Sequence, residues 1–305
     1  MQIDTIRYPN VFLTNNIITQ EFSFSRNIIL NSIINFGNEW LEDFETLISR
    51  LFENEESLRS AIRGYSKFSM QSMREQAEFE RTLTYKAKTF EQAADEVYLN
   101  QEYMISEYLP GLLLSHYIWP HHYRQLNFFK KCFLIPGREN DESTFIEIGV
   151  GTGIYSSIVL QKKPFAKGIG IDISPSSIDF TRKLIEKTVG GNRYNFLNTD
   201  IRDRSTSELK VKTLICVEVL EHLEDPLSFL KILRNNMAPG GRAFITAAIN
   251  AAHTDHIYLY RNNLEVKEHL VAAGFQIEQF FVGSAYPAKT LSSVVPEAVA
   301  FIVYV

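Results

Sequence analysis

Residues 145–153 read FIEIGVGTG and residues 168–174 read GIGIDIS. Each is a short, apolar, β-branched run. The first passes into Gly149, Gly151 and Gly153, and the second carries Asp172 near its end. A strand, a sharp glycine turn into a helix and a second strand ending in an acid is how doubly wound sheets hold nucleotide-type ligands, at the carboxyl ends of their strands. A dinucleotide site wants glycine or alanine one position after Gly153, where Ile154 stands. Glu147 sits two residues before the first glycine, and a carboxylate suits a cationic ligand rather than a pyrophosphate.

The rest of the second half keeps this rhythm. YNFLNTD, KTLICVEV, GRAFITAAI and QIEQFFVG read as further strands, and GIYSSIVLQKK, SPSSIDFTRKLIEKT, DPLSFLKILRNNM and NNLEVKEHLVAAGF read as helices between strands. PEAVAFIVYV is a final strand, antiparallel at or next to an edge. Alternation of this kind predicts an α/β fold: a doubly wound, mostly parallel, seven-stranded sheet covered on both faces.

Before residue 110 the text changes. Glycine and proline are scarce, with Pro9, Gly37 and Gly64 the main interruptions, and WLEDFETLISRLF repeats apolar residues at helical spacing. Residues 69–108 predict two or three more helices, broken near Lys88–Thr89. We therefore expect an all-helical domain over 1–110 and a ligand-binding catalytic domain over 111–305. The aromatic stripe of Phe79, Tyr85, Phe90, Tyr98, Tyr103 and Tyr108 reads as core.

Composition excludes several classes. A formal charge of -5 over 305 residues gives no basic footprint for nucleic acid. Cys132 and Cys216 are too few for a disulfide framework. The opening MQIDTIRYPN lacks the pattern of a signal peptide, and AVAFIVYV is too short to span a bilayer. A cytoplasmic, soluble protein is the expectation.

Five motifs in order, EIGVGTG, GIGIDIS, NTDI (198–201), CVEVLEHLEDP (216–226) and MAPGGRAFIT (237–246), make the chain resemble the class I S-adenosylmethionine-dependent methyltransferases over about 144–283. The resemblance implies a Rossmann-like fold and S-adenosylmethionine as cofactor. It places Gly149, Gly151 and Gly153 along the methionine part, with Glu147 shaping that pocket. Asp172 and Ile173 then fall at the ribose, Asp200 and the Ile201 amide at the adenine, and Glu218 beside the transferred methyl. Asp203 and Glu208 are expected only to cap or face solvent.

Methyl transfer to a hydroxyl needs a proton acceptor, and His222, His253 and His256 are candidates, with Glu218 as the carboxylate alternative. Glu218, Glu221 and His222 have the ExxEH spacing. A similar motif plus a later histidine holds Mg²⁺ in small-RNA 2′-O-methyltransferases, which would make Glu218, Glu221, His222 and His256 a metal set here. The same text is widespread in methyltransferases without metal, and the metal-free reading is adopted, with magnesium kept as the alternative.

Residues 109–129, LPGLLLSHYIWPHHYRQLNFF, crowd His116, Tyr117, Trp119, His121, His122, Tyr123 and Arg124 around Pro120. They read as an aromatic hinge, or as a lid with Arg124 pairing an acid. Of His121 and His122, one is expected to be buried and bonded and the other solvated. The function expected is methylation of a small-molecule or carrier-bound acceptor, on oxygen first and on carbon or nitrogen next, with no membrane and with a homodimer as an option. An RNA 2′-O-methyltransferase, a non-catalytic cofactor-binding protein and, more distantly, a nicotinamide dehydrogenase are the rivals.

Overall fold

A computed structural model of the chain describes residues 3–134, 143–202, 209–288, 290 and 293–305. Asp203 and Glu208 lie outside the described residues. Three long helices lead, α1 (Pro9–Glu21), α2 (Ile28–Leu51) and α3 (Glu55–Thr82). Gly37 kinks α2, at φ 66° and ψ -147°, where the sequence marks an interruption. Asn54 and Ser57 start α3 with reciprocal bonds that satisfy its first amides.

After Leu83 the chain runs without helix to Thr89, whose side chain and Gln92 cap α4 (Phe90–Ala93) in the same way. The break expected near Lys88–Thr89 is there. A π-helical turn, Ala94–Tyr98, leads to α5 (Gln101–Tyr103) and to a second π-helical turn, Met104–Tyr108. The boundary drawn at residue 110 falls inside α6 (Leu109–Ile118). Trp119 then turns the chain into α7 (Pro120–Phe128), and helix continues to Phe133.

The sheet follows the predicted alternation: β1 (Thr144–Ile148), α8 (Ile154–Lys162), β2 (Lys167–Asp172), α9 (Pro175–Val189), β3 (Tyr194–Asn198), β4 (Val211–Cys216), α10 (Pro226–Asn235), β5 (Met237–Ile249), α11 (Asn263–Ala272), β6 (Gln276–Ser284) and β7 (Glu297–Tyr304). The order is β3-β2-β1-β4-β5-β7-β6, parallel except that β7 runs antiparallel between β5 and β6. The last strand thus lies next to the edge.

Successive strand residues point to opposite faces, so each strand feeds two cores. Ile215 and Phe244 join a core that includes Trp40, Phe44, Leu113 and Phe129 from the leading helices, whereas Leu214, Cys216 and Ile245 pack under α10 and α11. The helical front and one sheet face therefore share a single apolar cluster. It clamps the front helices over the strand ends, where β1 lies between β2 and β4 and the strand order reverses. Among the described residues no helix is long and apolar enough to cross a membrane.

Candidate active site

The glycine turn after β1 is built from three left-handed residues, Gly149 at φ 67°, Gly151 at 50° and Gly153 at 73°. A Cβ at Gly149 would lie 2.5 Å from Val219 Cγ2, and one at Gly153 would lie 2.3 Å from Thr181 Cγ2, so neither position admits a side chain. A Cβ at Gly151 meets nothing nearer than Leu112 Cδ2, at 3.6 Å.

Glu147 is 2% exposed and faces the start of α8, where it accepts from the Ser156 amide at 2.9 Å and from the Ser156 hydroxyl. Burial pushes its carboxyl up to about 8 against those bonds. It acts here as the anchor of the turn rather than as a free anion. Asp172 accepts from the Gly151 amide at 2.9 Å and the Ser174 amide at 2.8 Å, which aligns the two strand ends. Asp200 is bonded by the Arg202 guanidinium and amide. Burial raises the Asp200 carboxyl, but the Arg202 bonds outweigh it and leave the group below its usual range. Arg202 in turn lies over the Phe90 ring, 4.8 Å from its centroid.

Glu147, Gly149, Gly151, Asp172, Asp200 and Arg202, with Ile173, Ile201 and Glu218, line one cavity of about 1030 Å³ that extends from the glycine turn up under the helical front, whereas Gly153 packs against Thr181 and is not part of the lining. The cradle fits S-adenosylmethionine. Gly149 and Gly151 bring backbone to the cavity at the turn, and carboxylates stand at the end of β2 and just after β3, where hydroxyl and amino donors need acceptors.

Burial pushes Asp172 up to about 6 despite the two amides. In the ribose-binding role that the resemblance implies, it must be ionised to accept from two hydroxyls. Cofactor affinity, measured by calorimetry, is therefore expected to be flat above about pH 7 and to weaken as pH falls through 6, approaching tenfold per pH unit below that point.

Beyond β4 the chain turns at Glu218, a non-glycine residue at φ 51°. The Glu218 amide donates to Thr246 Oγ1 at 2.8 Å, and Thr246 returns a bond to Glu218 Oε1 at 2.6 Å. The backbone oxygen of Glu221 then accepts from the Ile257 and Tyr258 amides at 2.7 and 2.9 Å, folding the segment after β5 onto the one after β4. The helical front grips that segment too: Gln76 bonds Asn250 and Ala252, and Tyr85 donates to Ala251.

His222, His253 and His256 thereby meet, with ring centroids 5.0 Å apart for His222–His256 and 5.9 Å for His253–His256. At their centre is Asp255, fully buried. Its Oδ1 is 2.6 Å from His253 Nδ1, its Oδ2 is 3.5 Å from His222 Nδ1, and it accepts from Tyr98 and Tyr108 at 3.0 and 2.8 Å. Burial alone would raise this carboxyl, but the imidazoles of His222 and His253 hold it well below the usual range.

Sequence reasoning misses Asp255. Its reading of Tyr108 as core holds, since Tyr108 lies in a small apolar cluster with Phe68, Val97 and Met104 and Tyr98 packs against it, but each tyrosine ends a π-helical turn and also gives its hydroxyl to Asp255. The one textual signal is an acid between two histidines in HTDH.

Glu221, His222 and His256 offer ligand atoms all within 4.8 Å of one another. His256 Nδ1 faces the Ala251 carbonyl at 2.6 Å and His222 Nδ1 faces the Asp255 carbonyl at 3.1 Å. A carbonyl only accepts, so each ring carries its proton on Nδ1 and turns a lone pair outward at Nε2. Burial, with His222 alongside, lowers His256 to about 3. Both carboxylate oxygens of Glu221 are buried without a hydrogen-bond partner, and burial together with Glu218 pushes that group well above its usual range. Glu218, the fourth residue of the expected metal set, is instead bonded to Thr246 and raised by burial.

In the aromatic segment, Tyr117 and Tyr123 pack into the helical core, while His116, Trp119, His121 and His122 line the cavity. Arg124 is exposed and lies over the Phe36 ring instead of pairing an acid. His121 is buried with its Nδ1 unpartnered, and the half-buried His122 makes the bond, to Ser115 at 3.1 Å. The expected contrast of one buried, bonded ring and one solvated ring is not what the fold gives, because both are covered by the cavity wall.

Comparison with known proteins gives the fold and cofactor class a family. A family model described as a methyltransferase domain matches residues 121–285. An uncharacterised protein of Synechococcus sp. is 29% identical over 109 residues, 35% of this chain and 26% of that protein. The ubiquinone biosynthesis O-methyltransferase of Actinobacillus pleuropneumoniae is 29% identical over 106 residues, 33% of this chain and 44% of that enzyme. The match thus spans less than half the length of these curated relatives. Among solved structures, the mitomycin 7-O-methyltransferase MmcR superposes with a TM-score of 0.54 at 13% identity, over 85% of this chain and 75% of that one. A Haemonchus contortus phospholethanolamine N-methyltransferase in complex with S-adenosylhomocysteine gives 0.53 at 13% identity, over 72% and 61%. Those two likenesses show the fold. Motifs, topology, cradle and family match together place this chain in the methyltransferase-domain family, in its class I, S-adenosylmethionine-dependent form.

Proposed function

We propose that this protein moves the methyl of S-adenosylmethionine to a hydroxyl of a small, uncharged acceptor, free or carrier-bound, with His222 taking the proton. The cofactor supplies a methyl already activated on a sulfonium, so the chain has to hold, align and deprotonate. Gly149, Gly151 and Gly153 let backbone run along the methionine part, and Glu147 anchors that turn. Asp172 and Ile173 serve the ribose, Asp200 and Ile201 the adenine, and Glu218, fixed by Thr246, stands beside the reacting centre.

The observation that carries this reading is Asp255. A buried, ionised carboxylate stands behind His222 and His253, so positive charge developing on an imidazole is stabilised by a fixed charge in surroundings of low dielectric. His253 has its Nε2 buried and unpartnered and acts as a positioning residue on the other Asp255 oxygen. His222 keeps Nε2 for the acceptor. Among the described residues the cavity lining carries more carboxylates than arginines and no lysine, which favours an uncharged acceptor over RNA or a phosphate ester.

The outward lone pairs of His222 and His256 beside the unpartnered Glu221 support a second reading, a divalent cation held by those three residues. Two imidazoles and one carboxylate would take such an ion and orient a hydroxyl on it. One experiment tests both readings. Turnover, read as S-adenosylhomocysteine release with hydroxylated aromatic acceptors, is expected to survive exhaustive chelation and to fall about 100-fold in Asp255→Asn with cofactor Kd unchanged. Loss on chelation, restored by Mg²⁺ or another divalent cation, moves the proton-handling role to the metal. Unchanged turnover in Asp255→Asn overturns the assignment of the base, whereas cofactor binding without turnover of any acceptor favours a domain that only binds the cofactor.

A further inference from the structure

A second cluster of histidines faces the same cavity from the turn between α6 and α7, and nothing above gives it a task. His122 has His121 at 4.3 Å and His116 at 5.8 Å, centroid to centroid. Trp119 lies 4.9 Å from His122 and is stacked on His121 at 5.8 Å and 14°, and on Phe68 at 5.8 Å and 28°. Phe68 in turn lies 5.0 Å from His253. A wall of flat rings therefore runs from the Asp255 centre to this trio.

The proton on each ring follows from its neighbours. Ser115 has one hydroxyl proton and donates it to the Leu112 carbonyl at 2.8 Å, so the Ser115 oxygen accepts from His122 Nδ1. His122 is left with a lone pair on Nε2. His116 and His121 are the reverse case. Their Nδ1 atoms are buried and unpartnered, at 4% and 8% residue exposure. A buried N–H without an acceptor is rarer than a buried acceptor without a donor, which puts the proton of each on Nε2. Burial keeps all three rings neutral, with His116 and His121 lowered to about 4 and His122 well below its usual value. The trio offers one acceptor flanked by two donors, the complement of a hydroxyl group, which gives one proton and takes two.

Resting on the assignment of methyl transfer to the Asp255 centre, we propose that His116, His121 and His122 form a second polar subsite that binds a distal hydroxyl of the acceptor. The acceptor class is then a flat, uncharged, multiply hydroxylated ring system: one oxygen is methylated at His222, another is held at His122, and the ring between them lies along Phe68 and Trp119. The imidazoles are neutral and Arg124, near His121, lies over the Phe36 ring, so the subsite disfavours a carboxylate or phosphate at that end.

The test uses the full chain saturated with S-adenosylhomocysteine and a series of naphthalenediols that differ in hydroxyl separation, each paired with the matching naphthol. Trp119 fluorescence reports binding. At least one diol is expected to bind about 10- to 100-fold tighter than its naphthol, the effect of satisfying buried polar groups that the naphthol leaves unpaired. His122→Phe should abolish that preference with S-adenosylhomocysteine affinity unchanged, His122→Gln should keep part of it, and Asp255→Asn should leave it intact. Diols no better than naphthols, whether both bind or neither does, overturn the subsite, as does a preference that survives His122→Phe. Failure of the catalytic assignment reads out separately, as turnover unaffected by Asp255→Asn.

Discussion

Replacing His222 by alanine is expected to lower kcat by about 10²- to 10⁴-fold while KM for S-adenosylmethionine stays within a fewfold of wild type, the effect of removing a positioned base. The reason lies in how the imidazole is held. Its Nδ1 faces the Asp255 carbonyl at 3.1 Å, its ring is edge-on to Tyr98, and its Nε2 is left for the acceptor. The residues proposed to hold the cofactor lie elsewhere, on the glycine turn and at Asp172 and Asp200, so binding and chemistry are expected to separate in the kinetics. The double variant His222→Ala with Asp255→Asn should be little worse than His222→Ala alone, because the carboxylate acts through the ring it supports. A double variant whose losses multiply would show that Asp255 serves a different base, His253 being nearer its carboxylate, at 2.6 Å, than His222 at 3.5 Å. Steady-state kinetics with the acceptor saturating distinguishes the two outcomes.

The parts of the fold written in local, periodic text are the parts that can be read from sequence. Strands such as LIC and FIEI are buried on both faces, so they are apolar but for Glu147. The glycines of GVGTG are required by left-handed backbone, which few other residues adopt. ExxEH brings Glu221 and His222 together because one tight turn holds both. What escapes is set by contacts across long separations. Asp255 looks like a loop acid until Tyr98 and Tyr108, 157 and 147 residues away, are brought onto it. Glu147 suggests a free anion from its place before the glycines, and only the fold shows Ser156 occupying it. The cavity over the acceptor has the same origin: it forms where α3, α6 and the turn at Trp119 close over the strand ends, a relation that no single stretch encodes.

Gly153→Ala is expected to destabilise the fold by about 2–6 kcal/mol, combining a strained left-handed residue with overpacking against a neighbour that cannot move. The new Cβ would sit 2.3, 2.8 and 3.0 Å from Thr181 Cγ2, Oγ1 and Cβ. Thr181 is fully buried on α9 and donates to the Gly151 carbonyl at 3.0 Å, so pushing it aside also breaks the bond that closes the turn. Gly151→Ala is the informative partner. It shares the positive φ, but its Cβ meets nothing nearer than Leu112 Cδ2 at 3.6 Å, so strain alone should cost about 1–3 kcal/mol. Its added methyl lies toward the cavity, however, where backbone approaches the cofactor. Denaturant unfolding should therefore rank Gly153→Ala as the more damaging to stability. S-adenosylmethionine calorimetry on the folded protein should find Gly151→Ala weakened far more than its unfolding cost suggests. If the two variants fall on one line of affinity against stability, the turn serves only as a joint between β1 and α8. If Gly151→Ala departs from it, the left-handed backbone at that position is there for the ligand.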